Sequence, residues 1–177
     1  MTYDEALALA IESNEDDNPI FVIDKNLRTV TVPKNFVLGV YNDKDVQVIP
    51  FLMPRYYNNI DLSDFLIRVN YVNSNGDGDI YLIMDKVVSE DTINFNWVVG
   101  RTAFLYKGNV NFVVCFIELD GLGEVAREFN TTKTTARVLE GLEIDDPASD
   151  QEFIDILAQI QATLVPITDE YIENLFS

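Results

Sequence analysis

Asn73-Ser74-Asn75-Gly76-Asp77-Gly78-Asp79 comes nearest to a ligand set, with oxygen donors at alternate positions and Gly78 where a calcium loop turns sharply. The match stops there. Met84 stands where a bidentate Glu is needed, Asn73 replaces the leading Asp, and the flanks alternate as strands rather than helices. A hairpin tip accounts for the same Gly, Asn and Asp content, so no metal is expected. Carboxylate pairs are the second option, since two carboxyls a few ångström apart, one raised by burial, suffice for glycosidase-type acid/base chemistry. Asp61, Asp64 and Asp85 are the least solvated by context, yet Asp61-Leu62-Ser63-Asp64 reads as a turn or cap, and catalysis is not favoured.

Other chemistries are removed by composition. The sequence has no His, so Ser-His-Asp and Cys-His catalysis, the common zinc sites and an imidazole proton relay are excluded within this chain. Cys115 is the single cysteine and lies in the apolar run Phe112-Val113-Val114-Cys115-Phe116, where a thiol is a small buried hydrophobe without a disulfide partner. There is no glycine loop of the P-loop or dinucleotide type, so no cofactor is expected. The chain is read as a non-enzyme. Tyr56 and Tyr57, in Pro54-Arg55-Tyr56-Tyr57-Asn58-Asn59, suit carbohydrate stacking or a protein contact, because Tyr offers rigid area with a polar tip. Packing over the end of a β-sandwich explains them equally and is preferred to direct glycan contact.

The elements that must carry these residues show in the periodicity. Ile93, Phe95, Trp97 and Val99 alternate with Asn94, Asn96 and Val98, which predicts a half-buried strand with Trp97 in the core. Ile67, Val69 and Tyr71 alternate likewise, and 110–117 is apolar on both faces after Asn111, as in a central strand covered twice. Further strands are expected at 20–24, 27–32, 46–53, 79–88 and 125–130. Turn signals at Lys25-Asn26, 74–78, Glu90-Asp91 and 120–123 separate them. About eight short strands without alternating long helices predict a mainly β fold, an antiparallel sandwich.

The 177 residues suit one domain with extensions, and 47% hydrophobic content argues against compositional disorder. Charge is uneven. Residues 1–19 carry 6 acidic and no basic residues, 20–137 carry 14 and 12, and 138–177 carry 10 and none, giving -6, -2 and -10, the formal -18. The lack of excess cations opposes nucleic acid as a partner, and no apolar run approaches a membrane span. The opening Met1-Thr2-Tyr3-Asp4-Glu5 lacks the basic and apolar regions of a signal peptide, so synthesis in a cytoplasm is expected. Thr2 to Glu5 has capping-box spacing before a short run of helix formers, and Ser149 to Glu152 repeats it. Phe153, Ile156, Leu157, Ile160 and Leu164 then fall on one helical face, and Pro166 stops that helix. Such a stripe needs covering, by the same domain or by a neighbouring subunit, and its acidic flanks suit a basic receiving surface. The expected organisation is an acidic helical segment over 1–19, a sandwich over 20–144 and a second acidic helical segment over 145–177.

Longer strings carry a family likeness. Phe51-Leu52-Met53-Pro54-Arg55-Tyr56-Tyr57, Ile60-Asp61-Leu62-Ser63, Ile67-Arg68-Val69-Asn70-Tyr71 and Gly78-Asp79-Ile80-Tyr81 resemble the N-terminal domain of phage baseplate upper proteins. Related tail or fibre proteins of phages infecting Gram-positive and gut bacteria share the pattern. Phe95-Asn96-Trp97-Val98-Val99-Gly100, Tyr106-Lys107-Gly108 and Val138-Leu139-Glu140-Gly141-Leu142 are similar too, so the resemblance covers roughly 20–144. Phe129 departs from it, standing where a Trp is expected. The resemblance implies an immunoglobulin-like β-sandwich acting as an attachment module in a virion, made in the host bacterial cytoplasm. Its implied partners are other virion proteins, and the apolar stripe of the C-terminal segment adds an expected association of its own copies as a trimer or hexamer. Position at tail, baseplate or fibre is the first expectation; a capsid or neck decoration, a head fibre or a glycan-binding module at the host surface are the alternatives.

Overall fold

Alternating apolar residues form strands here because a pleated chain sends successive side chains to opposite faces. The computed structural model describes residues 2–8, 19–141 and 157–162. In chain order the strands are β1 (Phe21–Ile23), β2 (Val30–Thr31), β3 (Val37–Val40), β4 (Val48–Pro54), β5 (Tyr56–Tyr57), β6 (Ile60–Asp61) and β7 (Leu66–Val72). They continue with β8 (Gly78–Leu82), β9 (Lys86–Val88), β10 (Thr92–Val98), β11 (Gly108–Leu119), β12 (Val125–Asn130) and β13 (Thr134–Leu139). A 3-10 turn over Arg101–Phe104 precedes β11.

The protein is a mainly β sandwich. One sheet has five strands in the order β2-β1-β4-β10-β9, the other has six in the order β3-β13-β11-β7-β8 with β12 also on β11, and β5 and β6 form a separate hairpin. The two layers share one core. Phe21, Phe51, Phe95 and Trp97 enter it from the first sheet and Ile67, Phe112, Phe116 and Val138 from the second. Burying large aromatic rings between the layers is the main driving force, at roughly 25 cal/mol per Å2 of apolar surface removed from water. The rings interlock: Phe51 stacks on Phe95 at 5.0 Å, and Trp97 tilts against both Tyr71 and Phe112 at 5.2 Å.

Most pairings are antiparallel as expected, but β1 runs parallel to β4 and β3 parallel to β13. Four strands, β3, β5, β6 and β13, were missed by the sequence reading. Thr134, Ala136 and Val138 do alternate inward, though two threonines and an arginine weaken the apolar signal. The expected strand over 79–88 is two strands, because the chain leaves the six-stranded sheet at Leu82 and joins the five-stranded one at Lys86. Ile83 stays buried at that corner. β11 is central, between β7 on one side and β12 and β13 on the other. Thr131 ties it at the break between β12 and β13: its N–H donates to the Val114 carbonyl and its Oγ1 accepts the Val114 N–H at 2.9 Å. Cys115 is buried on β11, and burial pushes its thiol pKa up.

Residues 3–8 are helical, and Thr2 and Glu5 form the reciprocal capping box: the Glu5 N–H reaches Thr2 Oγ1 and the Thr2 N–H reaches Glu5 Oε2. Ala6, with Tyr3 and Leu7 beside it, packs on Val22 and Leu52, which face outward from β1 and β4. That helix therefore covers part of the five-stranded sheet. By contacts the chain divides into Met1–Gly141 and Leu142–Ser177. In the second unit residues 157–162 are helical, with Leu157 41% and Ile160 48% exposed. Phe153, Ile156 and Leu164 lie outside the described residues.

Candidate functional site

Tyr56 and Tyr57 lie on a hairpin with a two-residue turn. Tyr56 pairs with Asp61 and Tyr57 with Ile60, leaving Asn58 and Asn59 as the turn, with φ of 47° and 63°. Positive φ at both central residues is the type I′ hairpin turn, and Asn is the side-chain-bearing residue that adopts it most cheaply. Pro54–Asn59, read from sequence as a loop, is thus half strand. Arg55 fixes the hairpin to the body: its Nε and Nη2 donate to the two oxygens of Asp61 at 3.0 and 2.8 Å, and its Nη1 to the Ser89 carbonyl at 3.1 Å. The Ser63 N–H adds a further bond to Asp61.

This clamp decides the role of Asp61. The Arg55 guanidinium, helped by Ser63, holds its carboxyl well below the usual carboxylate range, so it is an ionised acceptor and not a proton donor at neutral pH. Asp61→Asn removes one arm of the clamp and is expected to lower the unfolding midpoint by a few degrees at pH 7. A folded pKa below the unfolded one stabilises above the unfolded value, about 3.9, and that contribution is lost as pH falls through the folded value. The gap between wild type and variant in urea unfolding should therefore be full above about pH 5 and narrow steadily toward pH 2. A gap that is flat with pH would remove the ion pair from the account.

Tyr57 is engaged from two sides. Arg28 Nη2 donates to its hydroxyl at 3.1 Å, the Phe129 ring meets it edge-on at 5.0 Å, and the Arg28 guanidinium lies over the Phe129 ring at 4.2 Å. The hydrogen bond and charge of Arg28 lower the Tyr57 pKa. Arg28 itself sits at φ 60°, and its carbonyl accepts from Thr132 through both N–H and Oγ1. A left-handed arginine costs about 1 kcal/mol, which these bonds and the stacked rings offset. Phe129 is therefore a buried core residue at this end of the sandwich. Sequence reasoning missed Arg28, because nothing local links it to residues about thirty and a hundred positions away.

Tyr56 keeps 41% of its surface exposed, with Arg55 over its ring at 5.3 Å. Of the paired residues 56 and 57, only Tyr56 thus presents an open ring face. Asp64 is exposed, while nearby Lys86 donates to the Phe65 carbonyl at 2.8 Å. The calcium-like segment is a hairpin tip between β7 and β8. Asn73 is buried, its Oδ1 accepts the N–H groups of Asn75 and Asp77 at 3.0 Å, and the positive φ falls on Gly76 rather than Gly78. Among the described residues, no group of three or more His, Cys, Asp or Glu gathers to hold a metal ion, and no helix is long and apolar enough to cross a membrane.

No family model matches this chain, and no curated protein matches it. Among solved structures, the N-terminal domain of phage TP901-1 ORF48 is similar, with 10% sequence identity and a TM-score of 0.45, over 68% of this chain and 96% of that chain.

Proposed function

We propose that this chain is a structural component of a bacteriophage virion, a non-enzymatic adaptor or attachment piece of the tail, baseplate or fibre. The observation that carries the reading is the set of family-like strings. All but Tyr106-Lys107-Gly108, which leads into β11, fall on β4 to β8, β10 and β13, so the resemblance follows the framework of one sandwich. Its partners are other virion proteins and further copies of itself, as a trimer or hexamer; nucleic acid, membrane and cofactors have no part in it. Docking runs through the acidic C-terminal segment, where Leu157 and Ile160 offer an exposed apolar pair and Phe153, Ile156 and Leu164 extend the stripe in the sequence. Decoration of a capsid or neck would use the same sandwich and the same stripe. A glycan-binding module would rest on Tyr56 alone, since Tyr57 is held by Arg28.

The test is Leu157→Asp with Ile160→Asp in the full chain. In light scattering after size exclusion the wild type should be a trimer or hexamer and the variant a smaller species, with incorporation into particles reduced by about tenfold or more, as expected when charge enters an apolar contact. A wild type that is monomeric at every concentration, together with unchanged incorporation of the variant, would overturn the docking role.

A further inference from the structure

β8 ends the six-stranded sheet, so one side of its backbone faces away from the sheet. The pairing tells which groups point outward. The Ile83 N–H donates to the Ile67 carbonyl and the Asn73 N–H to the Asp77 carbonyl, and between them Tyr81 lies opposite Val69 and Asp79 opposite Tyr71. Hydrogen-bonded pairs alternate along an antiparallel ladder, so Asp79 and Tyr81 bond to β7 while Gly78, Ile80 and Leu82 turn their N–H and C=O groups to the open edge. The side chains of Ile80 and Leu82 are apolar and uncovered, at 58% and 47% exposed, and Met84 just beyond is 78% exposed. On the same outer face, a groove of about 680 Å3 is lined by Val72, Val113, Ile80, Asn70 and Lys133.

Edges of monomeric sheets are commonly guarded by proline, a bulge or an outward charge. β8 contains no proline and its pairing with β7 has no shift of register, while its one charge, Asp79, is exposed at the edge and guards Ile80 alone. There Asp79 Oδ2 accepts from the Tyr71 hydroxyl and Thr102 Oγ1, and its Oδ1 accepts the Ile80 N–H at 2.8 Å. Asp79 thus blocks one edge donor and leaves those of Gly78 and Leu82.

We propose that β8 is a two-fold interface at which a second copy of this chain adds its own β8, antiparallel and centred on Ile80. In that register Gly78 of each copy lies opposite Leu82 of the other, and each such pair exchanges both backbone bonds. The charges select it. Centring on Asp79 sets the two Asp79 carboxylates opposite each other, and centring on Tyr81 or Leu82 brings Asp77 or Asp79 against Asp85 of the other copy. Centring on Ile80 places Asp79 opposite Tyr81 and Asp77 opposite Ile83, so no carboxylate meets another. The two Ile80 and two Leu82 side chains then form one apolar seam that continues over Val72. A second copy also suits the charge of the body, since 20–137 carries 14 acidic and 12 basic residues and the acidic excess belongs to other segments.

The experiment is sedimentation of the full chain with two variants. Leu82→Pro deletes an edge N–H that β7 does not use, and edge strands accept proline at such positions. Ile80→Lys puts two like charges on the axis from an exposed position. Each variant should weaken dimer formation by about tenfold or more, since the contact is small and central, while the unfolding midpoint stays within about 3 °C of wild type. In hydrogen exchange, protection of the Leu82 amide should rise with concentration in the wild type and not in Ile80→Lys. If Leu82→Pro fails to fold, Ile80→Lys and the exchange data carry the test. A full chain that is monomeric up to about 200 μM, or a dimer indifferent to Ile80→Lys, overturns the proposal. The Leu157→Asp, Ile160→Asp chain separates the two contacts, because a β8 dimer persists in it whether or not the helical docking role holds.

Discussion

Phe112→Ala should lower the unfolding midpoint by roughly 10 °C, among the larger effects expected of a single truncation in this core. Phe112 is buried on the central strand β11, with ring centres of Phe21, Phe51 and Trp97 at 6.3, 6.2 and 5.2 Å. It joins the two sheets at the point where their aromatic side chains meet. Removing a buried phenyl loses its transfer free energy and leaves a cavity that rigid neighbours cannot collapse, typically about 3–5 kcal/mol. For a chain of this size each kcal/mol moves the midpoint by about 2–4 °C. Thermal unfolding followed by circular dichroism measures it, and a shift below about 3 °C would mean that the core is organised around other residues.

Gly39→Ala should be nearly as damaging, although it adds a single methyl group. A Cβ at Gly39 would lie 2.5 Å from Phe104 Cε1 and 2.8 Å from Asp43 Oδ2. Phe104 is fully buried in the 3-10 turn and cannot swing aside, while Asp43 Oδ2 accepts the Val40 N–H at 2.9 Å and holds the turn after β3. Overpacking of this kind costs about 1–3 kcal/mol, and the loss of the Asp43 bond adds to it. A midpoint lowered by about 5–10 °C is expected, with part of it recovered by Phe104→Leu in the same chain. No recovery in the double variant would place the damage at the Asp43 turn and not at the ring.

Much of the framework was legible. The strand over 125–130 coincides with β12, Trp97 and Cys115 are buried as their alternating or apolar settings required, and the Thr2 to Glu5 box closes as its spacing demanded. Each of these follows from a local rule, either period-two side-chain direction or a cap spanning three residues. The parallel contact of β3 with β13 was not legible, because its partners stand about a hundred residues apart and no local pattern names a strand's neighbour. The split of 79–88 was hidden for a related reason. Alternation continues through Ile83 while the hydrogen-bonding partner changes from β7 to β10, and periodicity reports faces without reporting partners.

The candidate sites divide along the same line. Residue types alone determined that the chain has no histidine, that the acidic excess lies in the terminal segments, and that 73–79 carries the residues of a hairpin tip. Those are questions of composition and short-range spacing. Only the tertiary structure decided that Asp61 is clamped by Arg55, that Tyr57 is locked between Arg28 and Phe129 while Tyr56 stays partly exposed, and that β8 is an edge whose apolar side chains are uncovered. Charge pairing, desolvation and the bare edge of a sheet depend on which distant segments meet, and that is set by packing two layers around one core rather than by any residue's neighbours along the chain.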